Sequence, residues 1–307
     1  MADMVFSGVT FSGGYSITLP PPPSSKAIFG YGYSPTAGAA VSVTNLVTTV
    51  GVVGNDVTGV GTARYLLAAA GYGTDKAIFG YGLGPTAITN KVSNAGVVAT
   101  DTTGVGTARY QLAAATYGSD KAIFGYGDGP VSLTNLVSNA GVVATDTTGV
   151  GTARRSPAAA GYGTGTAIFG YGNNGSINVS MTNKVSNTGV VATDTTGVGT
   201  ARTVLAAASY GTDKAIFGYG SSGSATAITN LVSNTGVVAT DTAGVGTART
   251  DLAAAGYGVD LAIFGYGYAG GYVSMTNKVS NTGVVATDTT GVGTARSGPA
   301  AASYGLA

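Results

Sequence analysis

The chain has 307 residues, of which 52 are glycine, and only 9% are charged, with a formal net charge of +1. So sparse and balanced a charge excludes a phosphate-contacting surface, which needs clustered Lys and Arg. Histidine and cysteine are absent and every acid is Asp. The usual proton shuttles, thiol nucleophiles and disulfides are therefore missing, and no apolar run approaches the roughly 20 residues of a spanning helix.

Residues 1–25 stand apart. "MVFSGVTFSGGYSITL" alternates apolar and small polar residues, and four prolines follow at 20–23. Such a strand-like arm on a stiff spacer is suited to adding to a neighbour's sheet edge. Residues 1–25 are expected to attach the rest of the chain to a partner; a solvated tail is the alternative. Asp3 stands where a secretory leader carries positive charge, so a soluble product made in the cytosol is expected.

The next element, "KAIFGYG", is a strand. Its AIFGYG part returns at Ala27, Ala77, Ala122, Ala167, Ala215 and Ala262, with separations of 45 to 50 residues. An irregular loop follows each copy. Then come "TNLVSN" or a near copy, a tight Asn-Thr-Gly or Asn-Ala-Gly turn, and "VVATD". A "GVGTAR" segment then ends at Arg64, Arg109, Arg154, Arg202, Arg249 and Arg296. Two variable residues lead into "LAAA" or "PAAA" and a Tyr-Gly pair.

Each unit thus holds four candidate strands, the content of one propeller blade. The expected fold is all-β, a six-bladed β-propeller over residues 26–307. The chain joins its first unit at a second strand and finishes on a first strand, residues 299–307. Pairing the two would close the ring and leave no edge between them. The alanine strand is expected nearest the axis, where small side chains let six strands converge.

One acid recurs per unit: Asp56, Asp101, Asp146, Asp194, Asp241 and Asp288. Repetition at a fixed turn marks a structural role, an Asx-turn combined with pairing to a GVGTAR arginine, bidentate if buried. The acids of the "TD" turns do not match a calcium loop, and Gly165 interrupts the series. No metal, cofactor or catalytic residue is expected. The tyrosines inside GYG (Tyr31, Tyr81, Tyr126, Tyr171, Tyr219 and Tyr266) suit either sugar stacking or packing between blades with a capped hydroxyl.

Six internal copies also expose what varies. The loop after GYG and the two residues after each Arg differ in every unit, while the "YGTD" and "SNTG" turns hardly change. In an up-and-down blade the variable segments share one face of the disc. Binding is expected on that face, through Tyr33, Tyr65, Tyr110, Asp128, Asn173, Asn174, Tyr268 and Tyr272; unconstrained drift is the competing explanation. Two positions alternate between blades, Leu/Lys after "TN" and Gly/Ser/Thr before Tyr-Gly. Duplication of a two-blade unit or a threefold partner would each produce that alternation.

The unit of Arg64, "LLAAAGYG" (66–73) and "KAIFGYG" (76–82) resembles the kelch repeat, although the kelch tryptophan is missing. It is also similar to repeat proteins of tailed bacteriophages, especially those of cyanobacteria, in its Arg-led alanine strand and Gly-aromatic-Gly strand end. That resemblance implies a non-enzymatic virion component, tail- or capsid-associated. Residues 1–25 would bind other virion proteins, and the variable face would meet a host surface glycan or receptor, with no nucleic acid and no membrane insertion. A lectin-like glycan-binding propeller outside any virion is the alternative.

Overall fold

The computed structural model describes residues 25–305; residues 1–24, nearly all of the expected attachment arm, lie outside the described residues. Among the described residues there are eighteen strands in six antiparallel sheets of three. Blade 1 holds β18 (Ala300–Tyr304), β1 (Lys26–Ser34) and β2 (Ala39–Val47), in that order from the axis outward. Blade 2 holds β3 (Ala68–Tyr72), β4 (Lys76–Gly80) and β5 (Thr89–Val92), and blade 3 holds β6 (Ala113–Tyr117), β7 (Lys121–Gly125) and β8 (Thr134–Val137). Blade 4 is β9 (Ala158–Tyr162), β10 (Thr166–Gly170) and β11 (Thr182–Val185). Blade 5 is β12 (Ala206–Tyr210), β13 (Lys214–Gly218) and β14 (Thr229–Val232), and blade 6 is β15 (Ala253–Tyr257), β16 (Leu261–Gly265) and β17 (Thr276–Val279).

The expected fourth strand is present as a pairing segment without a continuous ladder. In blade 2 it touches β5 through two isolated bridges, Val92↔Val98 and Thr89↔Thr102. Four steps of one chain face three of the other, so an extra residue bulges out. The Asn90 side chain fills the gap, donating to the Ala99 carbonyl at 3.0 Å.

The core lies between blades rather than within one. Each middle strand is buried on both faces. Ile78 and Tyr81 of blade 2 pack with Ala122 and Phe124 of blade 3, and Ile28 and Tyr31 of blade 1 pack with Ala77 and Phe79 of blade 2. The same pattern joins blade 6 to blade 1, where Ile263 and Tyr266 meet Ala27 and Phe29. Every interface also needs one bare glycine. A Cβ on Gly80 would stand 2.7 Å from Phe124 Cζ, inside van der Waals contact, so the phenyl ring can seat only on Gly.

Pairing of β18 with β1 places both ends of the described chain in one sheet, with Ile28 opposite Ala302. The inner strand β18 also lies against β3 and β15, so each inner strand has two neighbours and the wheel is closed. Two belts of six backbone hydrogen bonds seal it. On the face of the Tyr-Gly turns, Gly73, Gly118, Gly163, Gly211, Gly258 and Gly305 each donate to a carbonyl of the next blade at 2.7 Å. On the opposite face, the second residue after each Arg donates to its counterpart in the preceding blade at 2.8–3.3 Å. These residues, Leu66, Gln111, Ser156, Val204, Asp251 and Gly298, all take left-handed φ of 50–60°. For the β-branched Val204 that conformation is costly, and the belt is what imposes it.

The alternation between blades has a packing cause. The hydroxyls of Thr116, Ser209 and Ser303 donate to the carbonyls of Gly71, Gly161 and Gly256 in the preceding blade, at 2.9, 2.8 and 2.7 Å. A Cβ on Gly71 would meet the Ser303 carbonyl at 3.2 Å on the other side, so bulk is tolerated only in every second blade. Lys91, Lys184 and Lys278 extend from the Gly-bearing blades to carbonyls of those same partners, at 3.0–3.2 Å. The wheel is thus three cross-linked pairs of blades.

Candidate functional site

One latch recurs at all six interfaces, complete at Arg64, Arg109 and Arg249 and without the Nε bond at Arg154, Arg202 and Arg296. Arg109 is 3% exposed. Its Nε donates to the Tyr126 carbonyl at 2.8 Å, Nη1 to the Thr107 carbonyl at 3.0 Å, and Nη2 to Asn135 Oδ1 at 2.7 Å. Its Cζ stands 4.5 Å over the ring of Tyr81 in the preceding blade, a desolvated cation–π contact. Tyr81 completes the joint by donating its hydroxyl to the Val105 carbonyl at 3.1 Å and setting its ring edge-on to Phe124. All six GYG tyrosines are fully buried. They are packing residues with capped hydroxyls, and sugar stacking through them is ruled out. Burial pushes the Tyr81 phenol up to about 12.

The expected Asp–Arg pairing needs correction. Asp146, Asp194 and Asp241 lie 3.8 Å from Arg109, Arg154 and Arg202, and Asp56 lies 4.0 Å from Arg296. These are long, single contacts to half-open carboxylates, not bidentate pairs. The short partner of each arginine is the Asn of the "TN" pair: Asn45, Asn90, Asn135, Asn183, Asn230 and Asn277, at 2.6–2.7 Å. All six are completely buried. The signal was available, since "TN" stands in every copy.

The acids anchor the segment entering each blade. Asp101 accepts from the Thr62 N–H at 3.0 Å and hydroxyl at 2.6 Å, and from Asn90 Nδ2 at 2.9 Å. Asp288 does the same with Thr247 and Asn277. Desolvation at Asp101 works against ionisation, but the hydroxyl, amide and N–H donors and the Arg64 charge outweigh it, so its pKa lies below the usual 3.8. The other five repeat acids shift the same way for the same reasons. A carboxylate whose folded pKa is depressed stabilises the fold above its unfolded value and loses that contribution as pH falls through the folded one. The melting temperature is expected to be flat near neutrality and to fall below about pH 4, measured by circular dichroism across a pH series. A melting temperature unchanged down to about pH 2 would mean that the six acids carry no folding energy.

The variable face is built on a second repeated pairing. The residue after each latch Arg pairs with the first residue after GYG in the same blade: Tyr33 N–H donates to the Ser297 carbonyl, Leu83 to Tyr65, Asp128 to Tyr110, and Tyr268 to Thr250, each at 2.8 Å. Arg155 pairs with Asn173, and Thr203 with Ser221. Backbone geometry is constant around the ring while identity is not. Aromatic residues fall on adjacent blades 6, 1, 2 and 3. The Tyr268–Tyr272, Tyr272–Tyr33 and Tyr33–Tyr65 ring centroids are 5.4, 5.7 and 5.5 Å apart. Tyr110 follows. Beside it, Asp128 pushes the Tyr110 phenol above its usual value and faces Arg155 at 3.4 Å.

Six of the eight expected binding residues therefore lie along an arc of four adjacent blades, with ring-to-ring contact running from Tyr268 to Tyr65. Asn173 and Asn174 do not belong to it. Asn173 Oδ1 caps the Gly175 N–H and its Nδ2 donates to Asn178, while Asn174 Oδ1 takes the N–H groups of Ser176 and Ile177. Both side chains hold their own loop. Arg155, the single exposed arginine at such a position, was missed because only its variability marked it.

The inner strands surround a channel of about 170 Å³ lined chiefly by alanine. Asp251 stands at its mouth among Leu66, Gln111, Ser156, Val204 and Gly298. Desolvation pushes its carboxyl above 3.8, with only the Thr250 hydroxyl, at 3.0 Å, opposing. A raised carboxyl pKa means that the fold loses stability as pH rises through it. Asp251→Asn is expected to raise the melting temperature at pH 7, and the gain should shrink in acid. A lower melting temperature at pH 7 would show that the charge is needed.

No family model and no curated protein matches the chain. Among solved structures, the wheel is similar to a fungal alcohol oxidase of the AA5 family in complex with copper. The identity is 11% and the TM-score 0.54, over 81% of this chain and 70% of that one. The likeness shows the fold alone. The expectation of a non-enzymatic protein is corrected to this extent: the architecture does not carry it, because in that protein the same fold holds an oxidase. The residues here do not fit that protein's copper. The chain has no His or Cys, and among the described residues no three His, Cys, Asp or Glu side chains gather to hold an ion.

Proposed function

We propose that the protein is a structural and adhesive appendage of a tailed-phage virion, held through residues 1–25 and presenting the irregular face outward to a host surface. The observation that carries this is the polarity of the wheel. Ser25 exchanges backbone hydrogen bonds with Gly258 at 2.8 and 2.7 Å on the face of the Tyr-Gly turns. The chain therefore enters on the repetitive face, opposite the tyrosine arc, and attachment there leaves the arc free. The virion setting rests on the likeness of the repeat unit. A protein inventory of purified particles tests it: the chain should be present in a fixed copy number and be released by proteolysis ahead of Ser25. Absence from the particles sinks the virion setting and leaves a free glycan-binding propeller.

A further inference from the structure

We infer that the tyrosine arc is a carbohydrate-binding site for a chain of pyranose sugars, laid across blades 6, 1, 2 and 3. The inference rests on the reading that the irregular face is the outward one. Sugar rings present an apolar C–H face and a rim of hydroxyls. Their receptors need aromatic faces with polar groups at the margin, and Tyr supplies both in one side chain. Ring centres step by 5.4, 5.7 and 5.5 Å with the rings turned 79°, 35° and 61° to one another, so ring faces and phenol rims alternate along the arc and a sugar chain would meet both.

The rings are set in place before any ligand arrives. Tyr33 and Tyr268 are fixed by backbone hydrogen bonds across their blades, and Tyr268 bridges to Tyr272 across a tight loop. Tyr also brings contact area at low conformational cost. Tyr268 is 42% exposed, and Tyr33, Tyr65, Tyr110 and Tyr272 are partly so. Among the described residues, the hydroxyls of Tyr33, Tyr65, Tyr268 and Tyr272 meet no protein partner, whereas the buried GYG tyrosines spend theirs on valine carbonyls. Asp128 and Arg155 close one end with an acceptor and a donor fork.

A proline-rich peptide is the rival occupant, since aromatic grooves also take extended proline helices. The Asp128–Arg155 end favours sugar, because such a peptide offers little for paired polar groups to grip. The test uses the full chain in native gels cast with dextran, yeast mannan, galactan or hyaluronan, and a proline-rich decamer in a parallel titration. Tyrosine fluorescence gives a second readout, because the chain has 18 Tyr and no Trp. At least one polysaccharide should retard the wild type. Tyr65→Ala and Tyr268→Ala should each weaken that by about threefold to tenfold, with unchanged melting, while Thr203→Ala and Ser221→Ala on the polar half leave it intact. Retardation that survives both tyrosine substitutions, binding of the decamer alone, or no retardation in any gel overturns the inference. None of these outcomes touches the particle inventory, so the two readings fail separately.

Discussion

Deleting residues 299–307 unfolds the whole protein rather than trimming it. A linear repeat array loses one neighbour interaction when a terminal unit is removed. Here β18 is the inner strand of blade 1 and serves β1, β3 and β15 together. Its loss strips Lys26–Gly30 of their inner ladder partners, leaving β1 paired with β2 alone, and removes Ala300, Ala302 and Tyr304 from the interface with blade 2. It also breaks the belt on the turn face, where Gly305 donates to the Asp75 carbonyl. Tyr304 is 3% exposed, and truncating one buried aromatic residue costs about 3–5 kcal/mol. The strand carries that and its hydrogen bonds as well, against a total stability of about 5–15 kcal/mol for a typical domain. Gel filtration and circular dichroism should show an expanded or aggregated chain without a cooperative transition. A soluble monomer melting within about 5 °C of the parent would mean that closure contributes little.

The same closure explains what the sequence revealed and what it hid. Six written copies made the period, the blade and the ring visible, and the order of the segments announced that Lys26 and Ala300 belong to one sheet. Partner choice inside the latch was not visible. Charge suggests that Arg202 should take Asp241, but burial decides otherwise. A buried carboxylate loses more hydration than an amide, so neutral Asn230 occupies the interior and the acid stays at the margin. Asn173 and Asn174 were legible as turn formers and their side chains are consumed by that role. The shared face was legible but the ring contacts were not, because whether Tyr272 meets Tyr33 depends on the shape of the irregular loop, which blade order does not set. Asp251 was hidden for a different reason. Its position holds Leu, Gln, Ser, Val, Asp or Gly, and nothing local marks it as a left-handed corner at the channel mouth.

The latch supplies the second large effect, and it separates the two candidate partners of the arginine. Arg202 is completely buried, and its Nε has no protein acceptor. Its guanidinium depends on Asn230 Oδ1 at 2.6 Å, the Thr200 carbonyl at 3.3 Å and the Tyr171 ring 4.5 Å from Cζ. Asn230→Ala removes the shortest of these and also frees the Ala239 carbonyl that Asn230 Nδ2 holds at 3.0 Å. A buried cation stripped of its partner costs about 3–5 kcal/mol. Asp241 sits 3.8 Å from the same cation with 31% of its side chain exposed. Asp241→Asn keeps an oxygen for Thr200 and should cost about 1 kcal/mol. Replacing both buried partners with apolar residues, Arg202→Met with Asn230→Leu, should be milder than Asn230→Leu alone, because no orphaned charge remains. Urea unfolding of the four variants reads all of this directly. Equal losses from Asp241→Asn and Asn230→Ala would restore the acid as the true partner and leave the amide a bystander.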